Sequence, residues 1–194
     1  MIKKIKLSII LLIIVTVQSN ALIEVDITRG NLDPLPIAVS PLSADKDTNA
    51  NLIKELKIDD VGEKISNVVE NNLKNSGLFN PLNKDAFLQK PDIAHLKPRF
   101  EDWALIKAQA LITGKVTLKD EKLRVEFRLW DVLAGKEMMA LAFTTVPSNW
   151  RRVGHIITDK VYERLTGEKG YFDTRIIYVA EEGPKTKRIK KLAI

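Results

Sequence analysis

The sequence lacks cysteine and has only two histidines among its 194 residues. The absence of cysteine excludes a disulfide framework, a thiolate metal site, a cysteine nucleophile and a lipid-modified cysteine. The histidines, His95 and His155, share no helix and no ligand spacing, so they predict no metal site. Glycine-rich phosphate loops and serine-hydrolase elbows are missing as well. The sequence therefore favours a protein that is not an enzyme and that holds no cofactor.

The body of the chain carries no positive net charge, although the formal net charge of the whole sequence is +6. Of the 31 Lys and Arg residues, three lie in Met1–Lys6 and five in the last ten residues, and neither segment contains an acidic residue. Without these eight cations, no positive excess is left between the two ends. Such a body lacks the positive net charge that attracts a phosphate backbone, so nucleic-acid binding is not expected.

The first 21 residues have the three parts of a secretory signal peptide. Met1–Lys6 is basic, Leu7–Val17 is an unbroken apolar run, and small residues end the segment at Ala21. The apolar run is shorter than the roughly 20 residues that span a bilayer. We predict a signal peptide over residues 1–21 that is cut between Ala21 and Leu22. The alternative is an uncleaved membrane anchor.

The first segment of the mature chain alternates like a half-buried strand. In Leu22–Gly30, Ile23, Val25 and Ile27 point to one side, and polar residues point to the other. Two interpretations stay open from the residues alone. The segment is either an edge strand of its own domain or a free strand that adds to a partner's sheet through main-chain hydrogen bonds.

Two amphipathic helices and a three-stranded antiparallel meander are predicted in the middle of the chain. The first helix covers Asp59–Ser76, with an Asp60 cap and a Gly77 stop, and the second covers Ser148–Leu165, with Ser148 as its cap. We predict an α/β fold in which the two helices pack on a small mixed β-sheet. The predicted strands are Pro36–Leu42, Ala108–Leu118, Leu123–Trp130 and Lys136–Val146, and the predicted loops include Ser43–Asn51 and Gln89–Pro98.

The last part of the chain reads as a linker followed by a hairpin. Lys169–Phe172 is the predicted linker, and Thr174–Ala180 and Arg188–Ile194 are strands on either side of a turn at residues 181–184. An isolated two-stranded hairpin is marginally stable in water. The segment is therefore expected to be the opening of an incomplete β structure.

The polar residues offer little support for catalysis. His155 and Asp159 lie one helical turn apart behind Arg151 and Arg152, which indicates either a partner-facing patch or a solvated helix face with weak pairing. Adjacent carboxylates on a helix do not converge on one point, so they do not form an acid–base pair. These carboxylates are Asp59, Asp60, Glu101 and Asp102, and the residues expected to pack are Trp103, Trp130 and Trp150.

Several stretches resemble the TolB family, periplasmic proteins of the Tol-Pal system. They are LIEVDITRGNLDPLPIAVSPL after the leader, LKNSGLFNPL at residues 73–82, and DKVYERLTGEKG at residues 159–170 followed by TRIIYV. The resemblance implies residues 22–168 as an amino-terminal α/β domain. It implies residues 169–194 as a linker and the first strands of a truncated six-bladed β-propeller.

The resemblance also implies the partners of the chain and their binding residues. The family binds TolA through its mature amino-terminal segment, and it binds Pal mainly through the propeller, of which this chain holds only the first strands. It implies a periplasmic adaptor, peripheral to the envelope, that supports outer-membrane integrity and invagination during cell division. A split or degraded gene fragment that folds without this function is the alternative. The implied TolA-binding residues are Leu22, Ile23, Glu24, Val25, Asp26, Ile27, Thr28, Arg29, Gly30, Asn31, Leu32 and Asp33.

Overall fold

The computed structural model describes residue 23 and residues 33–57, 60–175 and 177–193. Within these ranges the chain forms five α-helices and eight β-strands. In chain order they are β1 (Leu35–Val39), β2 (Ser43–Ala44), α1 (Lys46–Leu56), α2 (Val61–Asn75), β3 (Phe79–Pro81), α3 (Pro91–Ala94), α4 (Phe100–Leu105), β4 (Ala110–Lys119), β5 (Lys122–Asp131), β6 (Lys136–Thr145), α5 (Trp150–Thr166), β7 (Tyr178–Glu182) and β8 (Ile189–Ala193).

The main sheet is mixed, as the sequence predicts. Its strands follow the order β3-β1-β4-β5-β6, and the short strand β2 also pairs with β4. Strand β1 runs parallel to β3 and β4, whereas β4, β5 and β6 form the antiparallel meander. The two-residue turn between β4 and β5 puts both Asp120 and Glu121 at positive φ, the geometry that matches the twist of a tight hairpin.

Helices α2 and α5 pack together on one face of the sheet. Alternate residues of β1, β4 and β5, such as Ile37, Ile112 and Phe127, are buried against them in the main hydrophobic core. The helices approach closely where Gly154 of α5 meets Val68 of α2, because a Cβ at Gly154 would lie 2.8 Å from the Val68 Cγ1. The predicted packing of two amphipathic helices on one sheet is confirmed.

The predicted start of helix α2 is also confirmed. The Asp60 carboxylate accepts a hydrogen bond of 3.0 Å from the backbone N–H of Glu63, which satisfies one of the free donors of the first turn. Gly77 follows the helix at φ +75°, a conformation that glycine adopts without strain.

The other face of the sheet is covered at one end by helices α3 and α4. Trp103 of α4 is 1% exposed and anchors a second hydrophobic cluster that includes Leu111 of β4. Its indole N–H donates to the side-chain oxygen of Gln89, which also accepts from the Arg99 backbone N–H at 2.9 Å. Because this polar side chain is buried, the bonds it makes fix the segment that leads into α4.

Three local predictions are wrong. Ser43–Asn51 is not a loop, because it contains β2 and the start of α1, where the Asp45 carboxylate accepts from the Thr48 N–H at 2.7 Å. Gln89–Pro98 contains α3, which begins at a proline that tolerates the first helical position. Ser148 does not cap α5, because it lies in the 3₁₀ turn Pro147–Asn149 and the helix begins at Trp150 without a side-chain cap.

The final hairpin forms a separate two-stranded sheet of β7 and β8. Strand β7 begins later than the predicted Thr174 and extends two residues into the predicted turn, where Glu181 and Glu182 pair with three cations of the opposite side, Arg188, Lys190 and Lys191. Among the helices of the described residues, none combines the length and the apolar character needed to cross a bilayer.

Candidate partner-binding surfaces

The predicted TolA-binding segment falls almost wholly outside the described residues. Of residues 22–33, only Ile23 and Asp33 are described, and the cleavage site at Ala21 and Leu22 lies outside them too. Ile23 is partly buried and packs against the main core, whereas Asp33 is exposed two residues before β1. The segment therefore has one end against the core and the other at the entrance to the sheet.

The two edges of the main sheet differ in what they offer to another chain. Strand β3 has only three residues and includes Pro81, which lacks a backbone N–H, so this edge supports little pairing. Strand β6 has ten residues and lies at the opposite edge. Residues Met138–Thr145 of β6 carry no charge.

A cleft of 390 Å³ opens on the sheet face opposite to α2 and α5. Its floor includes Ala140 and Ala142 of β6, and its wall includes His95 and Leu96, just after α3. Arg128 crosses the cleft, since its guanidinium donates to the His95 carbonyl at 3.3 Å and forms an ion pair with Glu137 at 3.3 Å.

Two charged side chains of this cleft, Glu126 and Arg128, form ion pairs with residues beside it. The Glu126 carboxylate accepts from Arg124 at 2.8 Å, and that hydrogen bond, supported by the charges of Arg124, Lys115 and Arg128, holds the pKa of Glu126 below its usual value. A carboxylate stabilised in its charged form among cations is a poor general acid or base near neutral pH. Within the described ranges, no cluster of three or more His, Asp or Glu residues is placed to hold a metal ion.

The predicted pair of His155 and Asp159 does not act as a unit. The Nδ1 atom of His155 lies 2.9 Å from the Asn72 side-chain nitrogen and links α5 to α2. Asp159 instead accepts backbone N–H donors from Phe172 at 2.7 Å and from Asp173 at 3.1 Å. The two residues thus support different contacts, and both are half-buried, so they do not form the solvated helix face that was one of the two interpretations of the sequence.

We call residues 169–173 the strap, because they fold back along α5. A Cβ at Gly170 would lie 2.4 Å from the Asp159 Cα, so this close approach requires glycine. Arg152 holds the other end of the strap by three hydrogen bonds to the Asp173 carboxylate. Sequence reasoning missed this site. The signal in the sequence was Asp159 within the predicted helix, followed after the helix by Gly170 and the aromatic residues Tyr171 and Phe172.

Three aromatic rings complete the contact between the strap and α5. Tyr171 and Phe172 stack on each other with centroids 4.5 Å apart, and both meet Tyr162 edge to face at 5.6 and 5.7 Å. Burial raises the pKa of the Tyr162 phenol, and the neighbouring Tyr171 and Glu168 add to the effect. These aromatic contacts pack the strap against α5.

The hairpin that follows the strap exposes apolar side chains on both of its faces. Val179 and Leu192 are cross-strand partners on one face, and Tyr178 lies on the other. All three are more than half exposed, at 56%, 80% and 56%. A two-stranded sheet with two apolar faces is suited to being covered by further protein.

The comparisons with known proteins agree with one another. The family model of the TolB amino-terminal domain matches residues 23–138. The Tol-Pal system protein TolB of Pelagibacter ubique (strain HTCC1062) is 80% identical over 185 residues, which cover 95% of this chain and 42% of that protein. The crystal structure of TolB from Acinetobacter baumannii matches with a TM-score of 0.64 and 22% identity, over 84% of this chain and 36% of that chain.

The described residues define a small mixed α/β domain with an open strand edge and an exposed hairpin. The chain belongs to the TolB family, since the family model covers more than half of it. It spans less than half the length of the curated relative that it matches. The likeness to the solved structure supports the same fold for the amino-terminal domain.

Proposed function

We propose that the chain is a periplasmic, non-enzymatic adaptor of the Tol-Pal system that binds a TolA-like inner-membrane protein through Leu22–Asp33. In this role it supports outer-membrane integrity and invagination during cell division. The observation that carries the proposal is the 80% identity to a Tol-Pal system protein across almost the whole chain. Its envelope location follows from the predicted leader at residues 1–21.

The physical basis of binding is strand addition. The segment alternates Ile23, Val25 and Ile27 with Glu24 and Asp26, so an extended conformation presents one apolar side to a partner sheet. Main-chain hydrogen bonds would supply affinity, and the three apolar side chains would fill alternate pockets. The contact of Ile23 with the main core supports a second, docked state of the segment that competes with partner binding.

The domain organisation belongs to the same proposal. Residues 1–21 are the signal peptide, residues 22–168 the binding domain, and residues 169–194 the linker and first strands of a β-propeller. The exposed apolar faces of the hairpin support this assignment, because neighbouring blade strands would cover them. We assign binding of a Pal-like lipoprotein to such a propeller and not to residues 22–168.

The test measures binding of purified TolA to the chain that starts at Leu22. Isothermal titration compares this chain with one that lacks Leu22–Asp33, which is expected to lose binding. Val25→Lys puts a charge on the apolar side and should weaken binding at least about tenfold, a loss of about 1.4 kcal/mol. Thr28→Lys is the matched control on the opposite side and should bind like the parent chain. Equal affinity of the parent and the deleted chain would refute the proposal.

A further inference from the structure

The free edge of β6 is an unusual strand edge. Natural proteins protect long edges with charges, prolines or covering elements, because unpaired backbone groups recruit other strands. In β6 the charged residues Lys136 and Glu137 stand at one end, and the following eight residues, Met138–Thr145, are uncharged. Within the described part of the chain, β6 pairs along its length only with β5.

A groove of 290 Å³ runs between this edge and helix α5. Phe143 of β6 and Val153 and Ile156 of α5 line it. Leu141 lies on the same side of the strand, because its cross-strand partner Phe127 belongs to the main core, and it remains 38% exposed. The apolar surface of the core therefore continues outward along the β6 edge and into the groove. The groove has room for apolar side chains of one additional strand.

Three cations lie on the side of α5 that faces the β6 edge, and one of them, Lys160, is paired with Glu163 at 2.9 Å. Arg152, Ile156, Lys160 and Arg164 stand one helical turn apart along α5, so they form a row. Arg152 lines one end of the groove, and its side chain is 62% exposed beside its partner Asp173. Arg164 lies beyond the groove, further along the same strand, where its guanidinium donates to the neutral carbonyl of Met138 at 3.3 Å. Carboxylates at the two ends of an added strand would meet these guanidinium groups.

The spacing of the row fits a short strand. Arg152 and Arg164 are twelve residues apart in a helix, about 18 Å at 1.5 Å per residue. The first and seventh residues of an extended peptide are about 20 Å apart. These two residues point to the same side as the third and fifth, so a heptapeptide can present two acidic ends and two apolar middle residues to the groove.

We propose that the edge of β6 is a strand-addition site for an extended segment of a partner protein whose inward-facing side chains are apolar in the middle and acidic at the ends. Its backbone would pair with β6, its apolar side chains would contact Leu141, Phe143 and Ile156, and its carboxylates would meet Arg152 and Arg164. This site is separate from the segment Leu22–Asp33 of the proposed function.

The test uses the chain from Leu22 and two blocked heptapeptides. The first is Glu-Thr-Val-Thr-Val-Thr-Glu, and the second replaces both glutamates with lysine. We expect the acidic peptide at millimolar concentration to slow amide exchange at the edge positions of Met139–Thr144 about tenfold, which corresponds to 1.4 kcal/mol. The lysine-ended peptide is expected to bind about tenfold more weakly.

Two pairs of variants separate the edge from its surroundings. Leu141→Lys puts a charge on the apolar side of the β6 edge and should abolish the protection, whereas Ala140→Lys, on the opposite face of the same strand, should retain it. Arg164→Glu should weaken binding of the acidic peptide and strengthen binding of the lysine-ended one, and it changes no residue of β6 itself. Three results would overturn the proposal: no change at β6, equal binding of the two peptides, or edge amides already protected in the free chain by its own residues or by a second copy.

Discussion

Replacing Asp159 with alanine should release the strap while leaving the domain folded. In the structure this carboxylate accepts the backbone N–H groups of Phe172 and Asp173, at 2.7 and 3.1 Å. A hydrogen bond to a charged group contributes about 1.5–3 kcal/mol, and the partial exposure of Asp159 reduces this contribution to about 1–1.5 kcal/mol for each bond. The two bonds together should account for about 2–3 kcal/mol of the local opening free energy.

Amide exchange measured by NMR reports this opening residue by residue. Because about 1.4 kcal/mol corresponds to a factor of ten, Asp159→Ala should speed exchange at Phe172 and Asp173 by about 30- to 100-fold. Amides of the sheet, such as that of Ile112, should keep the rate of the parent chain. The strap is an end segment of the domain, so the midpoint of global unfolding is expected to move little.

The control removes the exposed ion pair of the same strap. Arg152→Ala loses the contact with Asp173, and exposed ion pairs contribute only about 0–1 kcal/mol, so exchange should rise less than about fivefold. The reasoning is refuted if exchange at Phe172 and Asp173 in Asp159→Ala stays within about threefold of the parent rate. The aromatic contacts of Tyr171 and Phe172 would then hold the strap without the carboxylate.

Two further predictions concern a helix cap and a titration. Asp60→Ala should lower the free energy of unfolding by about 1 kcal/mol, because α2 loses its side-chain cap. Ser148→Ala should leave the free energy of unfolding unchanged, because Ser148 caps no helix. Urea unfolding of the two variants tests both expectations. The pKa of Tyr162 is raised, so the folded chain holds this phenolic proton more tightly than the unfolded chain does. The resulting contribution to the free energy of unfolding is complete below pH 10 and is lost as the pH rises through the folded pKa. Absorbance titration should show a phenol that ionises above the ordinary tyrosine pKa, and Tyr162→Phe should remove that step. A step above the ordinary pKa that persists in this variant would contradict the assignment.

The parts of the fold that the sequence predicts are those with strong local periodicity. Helix α2 combines an apolar row, an acidic cap and a closing glycine, and strand β5 of the meander alternates over its whole length. Helix α1 was not predicted, because only Thr48 and Leu52 are buried on it and its content of Lys, Asp, Asn and Thr is typical of a loop. Its formation depends on tertiary contact, including the bond of 3.4 Å from the Leu118 N–H to the Thr48 hydroxyl.

The candidate surfaces were harder to predict, because they depend on contacts between distant residues. The resemblance supplied the segment Leu22–Asp33, but no local pattern shows that Ile23 touches the core. The role of Asp159 requires knowing that the chain turns back at Gly170, and the role of His155 requires the neighbouring helix with Asn72. The edge position of β6 follows from strand order, which alternation alone does not determine.

Helix α5 connects three of these features, and this leads to a last prediction. Gly154 packs on α2, Ile156 lines the groove beside β6, and Asp159 holds the strap. Gly154→Val places a Cβ 2.8–2.9 Å from Val68 atoms, so α5 must move away from α2, at an overpacking cost of about 1–3 kcal/mol. Phe172 packs both on Tyr162 and against the main core, so a displaced helix cannot keep both contacts.

The variant Gly154→Val should therefore unfold at lower urea and also exchange faster at Phe172 and Asp173. Arg151→Val, an exposed site on the same helix, controls for the cost of a β-branched residue in a helix, and it should leave the strap unchanged. If Gly154→Val loses stability while strap exchange stays at the parent rate, then α5 absorbs the strain locally, and the strap and the helix interface are independent. If both change together, a partner that displaces α5 from the β6 edge would also loosen the strap, because one rigid helix carries both contacts.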